Sequence, residues 1–226
     1  MTVDELLAEG ERLCRPCFWL NVEGEGNVVG YWQGERADRP NAVPPEATAL
    51  RSIKHILTID SGLLKRVGLS MRSSTVGFTE VESAHGDTHY RVFESDAPIS
   101  DLRCDGLPLH AAEGRSFPPF EAVCLYGGES VADWLKSLGL ERHEYGWAES
   151  APEAVGYFDA YAARSPIYRH DADLVVGGWH QCWPEDNFYM PLEMRLAVLT
   201  LRDSEPWYEL WQAIGRGGWS VKARIT

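Results

Sequence analysis

The residues with the clearest potential for chemistry lie close together in the last third of the chain. Nitrogen, oxygen and sulfur ligands occur there at short intervals: His170, Asp171, Asp173, His180 and Cys182. On an extended strand, His180 and Cys182 would point to the same side, which permits a divalent-metal site. The spacing is unspecific, because no His-Glu-x-x-His motif, paired Cys/His spacing or aspartate-rich calcium loop accompanies it. We therefore expect neither a bound metal nor another cofactor.

Two further groups of ligand-type residues are explained by local structure. Cys14 and Cys17 have the spacing of a redox dithiol, but they follow a predicted helix, whereas a reactive thiolate is stabilised at a helix N-terminus. A structural zinc site would need a second Cys/His pair, which the sequence lacks. His85 and His89 flank a Gly-Asp pair, which favours a polar turn.

No sequence motif marks an active site. The chain has no Gly-x-Ser-x-Gly elbow, no Walker A sequence and no Gly-x-Gly-x-x-Gly after a predicted strand. Carboxylates are abundant, so a two-carboxylate hydrolase stays open as an alternative. The sequence thus favours a protein that is not an enzyme.

The placement of the tryptophans indicates a binding surface. Five of the nine fall in the C-terminal part: Trp179, Trp183, Trp207, Trp211 and Trp219. The predicted loop 179–188 also carries the adjacent acids Glu185 and Asp186, which are costly to bury without partners. Exposed rings flanked by acids are typical of interface hot spots and of cation recognition. The predicted binding residues are Trp179, His180, Trp183, Glu185, Asp186, Trp207 and Trp211.

Three segments have helical patterns. Residues 3–14 carry apolar side chains along one predicted helical face, with Thr2 and Glu5 at capping-box spacing. Residues 131–138 carry apolar side chains at positions i, i+3, i+4 and i+7, and Gly139 closes the helix. Residues 150–162 begin with Ser-Ala-Pro-Glu, which is a typical helix start.

The remaining pattern predicts strands joined by turns. Strands are expected at 18–22, 27–33, 53–59, 75–82, 88–94, 121–126, 174–179, 196–201, 207–212 and 218–225. The first two are expected to form a hairpin, and 34–48 and 101–119 are expected to be loops. We predict an α+β fold, a mostly antiparallel sheet with a C-terminal meander and about three helices packed on it. Residues 1–226 form a single domain, or alternatively two packed lobes, 1–115 and 116–226.

Composition and charge set the class and compartment. Hydrophobic residues make up 44% of the 226 positions and charged residues 24%, as in ordinary globular domains. The formal net charge is −13, and residues 141–210 hold 13 acids against five arginines and no lysine. Such a field disfavours nucleic acid and anionic membranes and attracts basic partners. An acidic N-terminal segment, no 20-residue apolar run and an odd number of cysteines predict a cytoplasmic protein.

These observations give a leading hypothesis and two alternatives. The leading one is a small acidic binding or regulatory protein whose aromatic and acidic face binds a basic protein partner. An immunity-type role, in which an acidic face covers a basic active site, is one version of it. The first alternative is a metal-dependent or carboxylate-based hydrolase, with the candidate residues His170, Asp171, Asp173, His180 and Glu185. The second is a homodimer that buries the aromatic face against itself.

Overall fold

A computed structural model describes most of the chain and shows an α+β protein with an antiparallel sheet. The described residues are 1–32, 50–68, 72–83, 88–102, 104–164, 174–179, 199–201, 207–212 and 219–224. For 50–54, 81, 83, 88–91 and the segments beyond 198, only the backbone is described. No helix in these ranges has the length and apolar character that crossing a bilayer requires.

The described ranges contain five α-helices: α1 (Val3–Arg12), α2 (Ser61–Arg66), α3 (Phe120–Tyr126), α4 (Glu129–Ser137) and α5 (Pro152–Arg164). A short 3₁₀ turn (Ile99–Asp101) and a longer 3₁₀ segment (Arg142–Ala148) accompany them. The capping box predicted for α1 is confirmed. The Thr2 hydroxyl accepts from the Glu5 amide at 3.2 Å, and the Thr2 amide donates to the Glu5 carboxylate at 2.7 Å.

Eight strands form the main sheet: β1 (Arg15–Asn21), β2 (Val28–Trp32), β3 (Leu50–Asp60), β4 (Thr75–Ser83), β5 (Thr88–Ser95), β6 (Leu107–Ser116), β7 (Leu174–Gly177) and β8 (Leu199–Leu201). Their order is β5-β4-β3-β2-β6-β1-β7-β8, with each neighbouring pair antiparallel. Two more strands, β9 (Trp207–Gln212) and β10 (Trp219–Arg224), form an antiparallel ribbon. β9 lies beside β8 and β10 beside β5, so the ribbon lies between the two edge strands and the sheet curls.

Two sequence predictions about the sheet are wrong. Residues 107–116, expected to be loop, form β6, which lies between β1 and β2 and pairs with both. The expected hairpin between β1 and β2 therefore does not form. Pro108 and Gly114 made this segment resemble a loop, yet Pro108 is near the start of the strand, where proline is tolerated. Gly114 is needed because a Cβ there would lie 2.8 Å from Cε2 of Trp19.

The predicted strand at 121–126 is also wrong, because this segment is helix α3. Four of its residues are buried, namely Phe120, Ala122, Val123 and Cys124. A short helix that is buried on most sides has a continuous apolar sequence, which periodicity cannot distinguish from a buried strand.

Two hydrophobic cores hold these elements. The sheet core joins residues of β1, β3, β4, β6 and β7 to Leu63, Leu64 and Val67 in and just after α2. The helical core joins α1, α3, α4 and α5 through side chains such as Leu6, Phe120 and Tyr157. Each fully buried Leu or Phe contributes about 1.5–3 kcal/mol to folding. A third, smaller cluster of Ala122 and Trp179 packs against Leu13, Leu125 and Tyr126 and links α3 to the end of β7.

Candidate functional site

The structure describes part of the predicted binding surface. Trp179 is described with its side chain, and the backbones of Trp207 and Trp211 lie on β9, opposite Arg224 and Ser220 of β10. The other predicted binding residues lie outside the described ranges: His180, Trp183, Glu185 and Asp186. The same holds for His170, Asp171 and Asp173 of the hydrolase alternative.

Trp179 lies at the start of the predicted loop and is enclosed. Two glycines with positive φ, Gly177 at 77° and Gly178 at 80°, turn the chain at the end of β7. The Trp179 amide then donates to Oγ of Ser116 at 3.0 Å, and its indole Nε1 donates to the carbonyl of Leu13 at 2.7 Å. Only 3% of the residue is exposed, so Trp179 fixes this end of the loop to the protein body.

The Trp179 ring also holds a cation. The guanidinium of Arg15 lies 3.4 Å from the ring centroid, and the Tyr126 ring is 6.0 Å away at an interplanar angle of 31°. Burial lowers the pKa of Arg15 from its ordinary value, because desolvation disfavours the charged form. Stacking on the indole face offsets part of that cost. Arg15, Trp179 and Tyr126 thus form one packed unit at the start of the loop.

Trp147, in contrast to Trp179, is strongly exposed, and it was not singled out from the sequence. Trp147, in the 3₁₀ segment Arg142–Ala148, is 80% exposed, the highest value among the large hydrophobic residues that the structure describes as exposed. Tyr145, two residues earlier, is partly buried and packs against the helical core. Burial raises the pKa of Tyr145 to about 12, and the negative charges of Glu121 and Glu149 contribute to the shift. Both carboxylates are therefore close to the segment that presents Trp147.

The Trp147 segment is held firmly at both ends. The Arg142 guanidinium donates to four backbone carbonyls at or just after the end of α3: Cys124 at 2.8 Å, Leu125 at 3.3 Å, Gly127 at 2.9 Å and Gly128 at 2.9 Å. The Glu141 amide donates to the Glu144 carboxylate at 2.8 Å. After Trp147, Ala148 is buried in the helical core and its carbonyl accepts from Ala151 at 2.9 Å. Trp147 is thus displayed from an ordered support.

An exposed apolar stripe lies on the neighbouring helix. Val155 and Phe158 of α5 are 49% and 38% exposed, and they are three residues apart on one face. The Phe158 ring lies 5.2 Å from that of Phe120, so the stripe is continuous with the helical core. Asp159, next to Phe158, is an exposed acid.

Arginine side chains on the described surface are largely engaged by the protein itself. Six have internal contacts: Arg12 with Glu9, Arg15 with Trp179, Arg66 with Glu113 and Phe18, Arg115 with the Glu11 carbonyl, Arg142 with the α3 carbonyls, and Arg164 with Glu11 and Phe117. Many carboxylates stay exposed, including Asp4, Glu23, Glu25, Glu129, Glu149 and Asp159. Much of the positive charge is thus engaged in contacts within the protein, and the electrostatic field at the surface is negative.

Cys14 and Cys17 have thiols of low reactivity. Burial raises the pKa of Cys17 to about 11 and, together with the charge of Glu11, raises that of Cys14. Both thiols are protonated at neutral pH, and a thiol is a much weaker nucleophile and metal ligand than a thiolate. Within the described ranges, no three His, Cys, Asp or Glu residues group in a way that could hold a metal ion.

Comparison with known proteins adds no identification. No protein-family model matches the chain, and no curated protein sequence matches it significantly.

Proposed function

We propose that this protein is an acidic binding protein that engages a basic protein partner through exposed aromatic rings and carboxylates. The observation that carries the proposal is that positive and negative side chains differ in their contacts. Arginines contact the protein's own rings, carbonyls and acids, whereas carboxylates remain exposed on the surface. With a net charge of −13, this arrangement produces a negative field at the surface. Such a field accelerates encounter with a basic partner and is weakened by salt.

The predicted C-terminal surface belongs to the same proposal. In it, the strands after residue 174 form a meander, helices pack on the sheet, and the loop after Trp179 presents His180, Trp183, Glu185 and Asp186 beside β9 with Trp207 and Trp211. The anchoring of Trp179 by Ser116, Leu13 and Arg15 supports it, because an anchored end reduces the entropy that a loop loses on binding. An immunity-type role, with the partner's basic active site covered, is one version.

The proposal places the protein in the cytoplasm, where thiols stay reduced. Free thiols at four positions support this location: Cys14, Cys17, Cys104 and Cys124. A homodimer through the aromatic face is the alternative outcome, and sedimentation of the purified chain distinguishes it from a monomer that binds another protein.

The decisive experiment captures partners on the immobilised full chain at about 50 mM and about 500 mM NaCl, between which the Debye length falls severalfold. We expect a basic protein that is retained at low salt and lost at high salt. The captured protein is then titrated against wild type, against Trp183→Ala plus Glu185→Arg, and against Glu25→Arg, which makes the same charge change in the exposed turn between β1 and β2. Loss of binding to the double variant, together with unchanged binding to Glu25→Arg, supports the proposal.

Equal recovery of each captured protein at both salt concentrations contradicts the electrostatic part of the proposal. Equal affinity of the double variant and wild type removes the loop 179–188 from the binding surface.

A further inference from the structure

We propose that the guanidinium of Arg15, stacked on the Trp179 ring, is a binding site for a carboxylate group. The site goes beyond the proposed function, because it recognises an anion, whereas the proposed surface recognises a basic protein. The Arg15 guanidinium carbon lies 3.4 Å from the centroid of the Trp179 ring. Among the residues that the structure describes, Arg15 has no hydrogen bond and no ion pair. Its N–H groups are therefore available to an acceptor on a ligand.

The fold places Arg15 where the pairing of β1 with β7 has ended. Arg15 is the first residue of β1 and lies opposite Ser116 of β6. On the other side of β1, the pairing ends at Cys17 opposite Gly177, and the chain then turns. Trp179 follows this turn, and its ring covers Arg15 while its amide is bonded to Oγ of Ser116. Arg15 stays partly exposed, which leaves this position open to solvent.

In the described part of the chain, two other arginines stack on a ring, and each of them also has a carboxylate. These are Arg66 with Phe18 and Glu113, and Arg164 with Phe117 and Glu11. Their guanidinium carbons lie 4.5 and 5.5 Å from the ring centroids, farther than the 3.4 Å at Arg15. A guanidinium stacks through its face, while its N–H groups lie in its plane and bind the acceptor. The ring and the carboxylate therefore act on the same group together.

At Arg15, the described residues supply the ring but no carboxylate. Removing a positive charge from water without a counter-ion is costly, and burial lowers the pKa of Arg15 accordingly. A carboxylate offsets this cost, because its two oxygens accept two parallel N–H groups of one guanidinium. Since stacking on the indole already restricts the side chain, binding removes little further rotamer entropy. The other two stacked arginines thus identify the ligand class as a carboxylate.

The test is a titration of the full chain with sodium acetate at constant ionic strength and at about pH 6, where acetate is ionised. The ¹H–¹⁵N signals of the arginine Nε groups are followed and are assigned by their loss in Arg→Met variants. We expect the Arg15 signal to shift with a dissociation constant on the order of tens of millimolar, because one charge-assisted pair contributes modestly in water. The signals of Arg66 and Arg164 should shift little, since each already has a carboxylate.

Acetamide is the control ligand, because it is neutral and has nearly the same shape as acetate. It should bind at least about fivefold more weakly, since charge-assisted hydrogen bonds are the stronger ones.

Variants separate the site from general attraction of anions. Arg15→Met keeps a contact with the indole but has no N–H donor, so the acetate-dependent shift of the Trp179 indole signal should disappear. Arg15→Lys keeps the charge but cannot form two parallel bonds, and it should bind acetate about threefold more weakly. Arg164→Met is the matched control, which removes the same group from another ring and should leave the Arg15 titration unchanged. Circular dichroism checks that each variant is folded.

Three results would overturn the inference. They are equal shifts with acetate and acetamide, equal acetate shifts at Arg15, Arg66 and Arg164, and an acetate response of Arg15→Met like that of wild type. The proposed function is tested separately, by the salt-dependent capture of a basic protein. Failure of that capture leaves the acetate titration of the purified chain unaffected, so the two proposals can fail independently.

Discussion

Truncation of Trp179 should strongly destabilise the protein. The side chain is buried between Arg15 and Tyr126, and its Nε1 donates to the Leu13 carbonyl at 2.7 Å. Replacing a buried Trp by Ala typically costs about 3–5 kcal/mol, so we expect Trp179→Ala to lower the free energy of unfolding by about 4 kcal/mol. Trp179→Phe keeps an aromatic ring but leaves the Leu13 carbonyl unpaired, and it should cost about 1–2 kcal/mol.

The assay is urea unfolding followed by far-ultraviolet circular dichroism, which does not depend on any one of the nine tryptophans. Trp147→Ala is the matched control, because the same residue type is replaced where it is 80% exposed. Its free energy of unfolding should stay within about 0.5 kcal/mol of wild type. A loss below about 1 kcal/mol for Trp179→Ala, or equal losses for the two alanine variants, would refute the anchoring of Trp179 in the protein body.

Three further predictions follow from the helical part of the molecule and its thiols. Arg142→Ala should cost about 2–4 kcal/mol because it removes the guanidinium that donates to four carbonyls. Lys136→Ala, at an exposed pair, should cost less than about 0.5 kcal/mol in the same assay. Bonds from Arg12 and the Gly128 amide hold the pKa of Glu9 below its ordinary value of 4.5, so Glu9→Gln should destabilise at pH 7 and progressively less as the pH falls through the folded-state value. With pKa values of about 11 and 12, Cys17 and Cys124 should react slowly with Ellman's reagent at pH 8 until urea unfolds the chain.

Each of these has a contradicting result. Equal destabilisation by the Arg142 and Lys136 variants would show that the α3 carbonyls do not depend on the guanidinium. A cost of Glu9→Gln that is the same at pH 7 and pH 3 would exclude a stabilising role of the ionised carboxylate. Rapid modification of both thiols in the native protein would contradict their burial.

Local signals in the sequence predicted the helices α1, α4 and α5. Thr2 and Glu5 marked the start of α1, the apolar spacing after residue 130 marked α4, and Ser-Ala-Pro-Glu at 150–153 marked α5. In each case the signal depends only on neighbouring residues: a cap, a proline in the first turn, or one apolar face. Strands 75–82 and 88–94, with a polar turn between them, were likewise predicted from neighbouring residues, and β4 and β5 pair antiparallel.

The order of the strands was not predictable in this way. β6 belongs between β1 and β2 because of contacts between residues about 80–90 positions apart, for example Leu20 opposite Ala111, and the sequence of β6 carries proline and glycine. Helix α3 was missed because its burial removed the polar face that a helical pattern needs.

For the candidate site, the sequence drew attention to aromatic residues near acids, but it could not show which rings are enclosed. Trp179 is buried by Leu13 and Tyr126, which are distant in the chain. Trp147 lies in the segment His-Glu-Tyr-Gly-Trp-Ala-Glu, between the predicted helices 131–138 and 150–162 and outside the apolar face of each. That position was the sequence signal from which its exposure could have been predicted.

The position of β1 between β6 and β7 has a consequence for how the chain is made. During synthesis, β1 leaves the ribosome roughly 90 residues before β6 and roughly 150 before β7, so its partners are among the most distant in the chain. At about 5–20 residues per second, its apolar residues Phe18 and Leu20 wait several seconds for cover. Nascent chains that stop before residue 174 therefore expose an open edge of β1, to which chaperones or other nascent chains can bind.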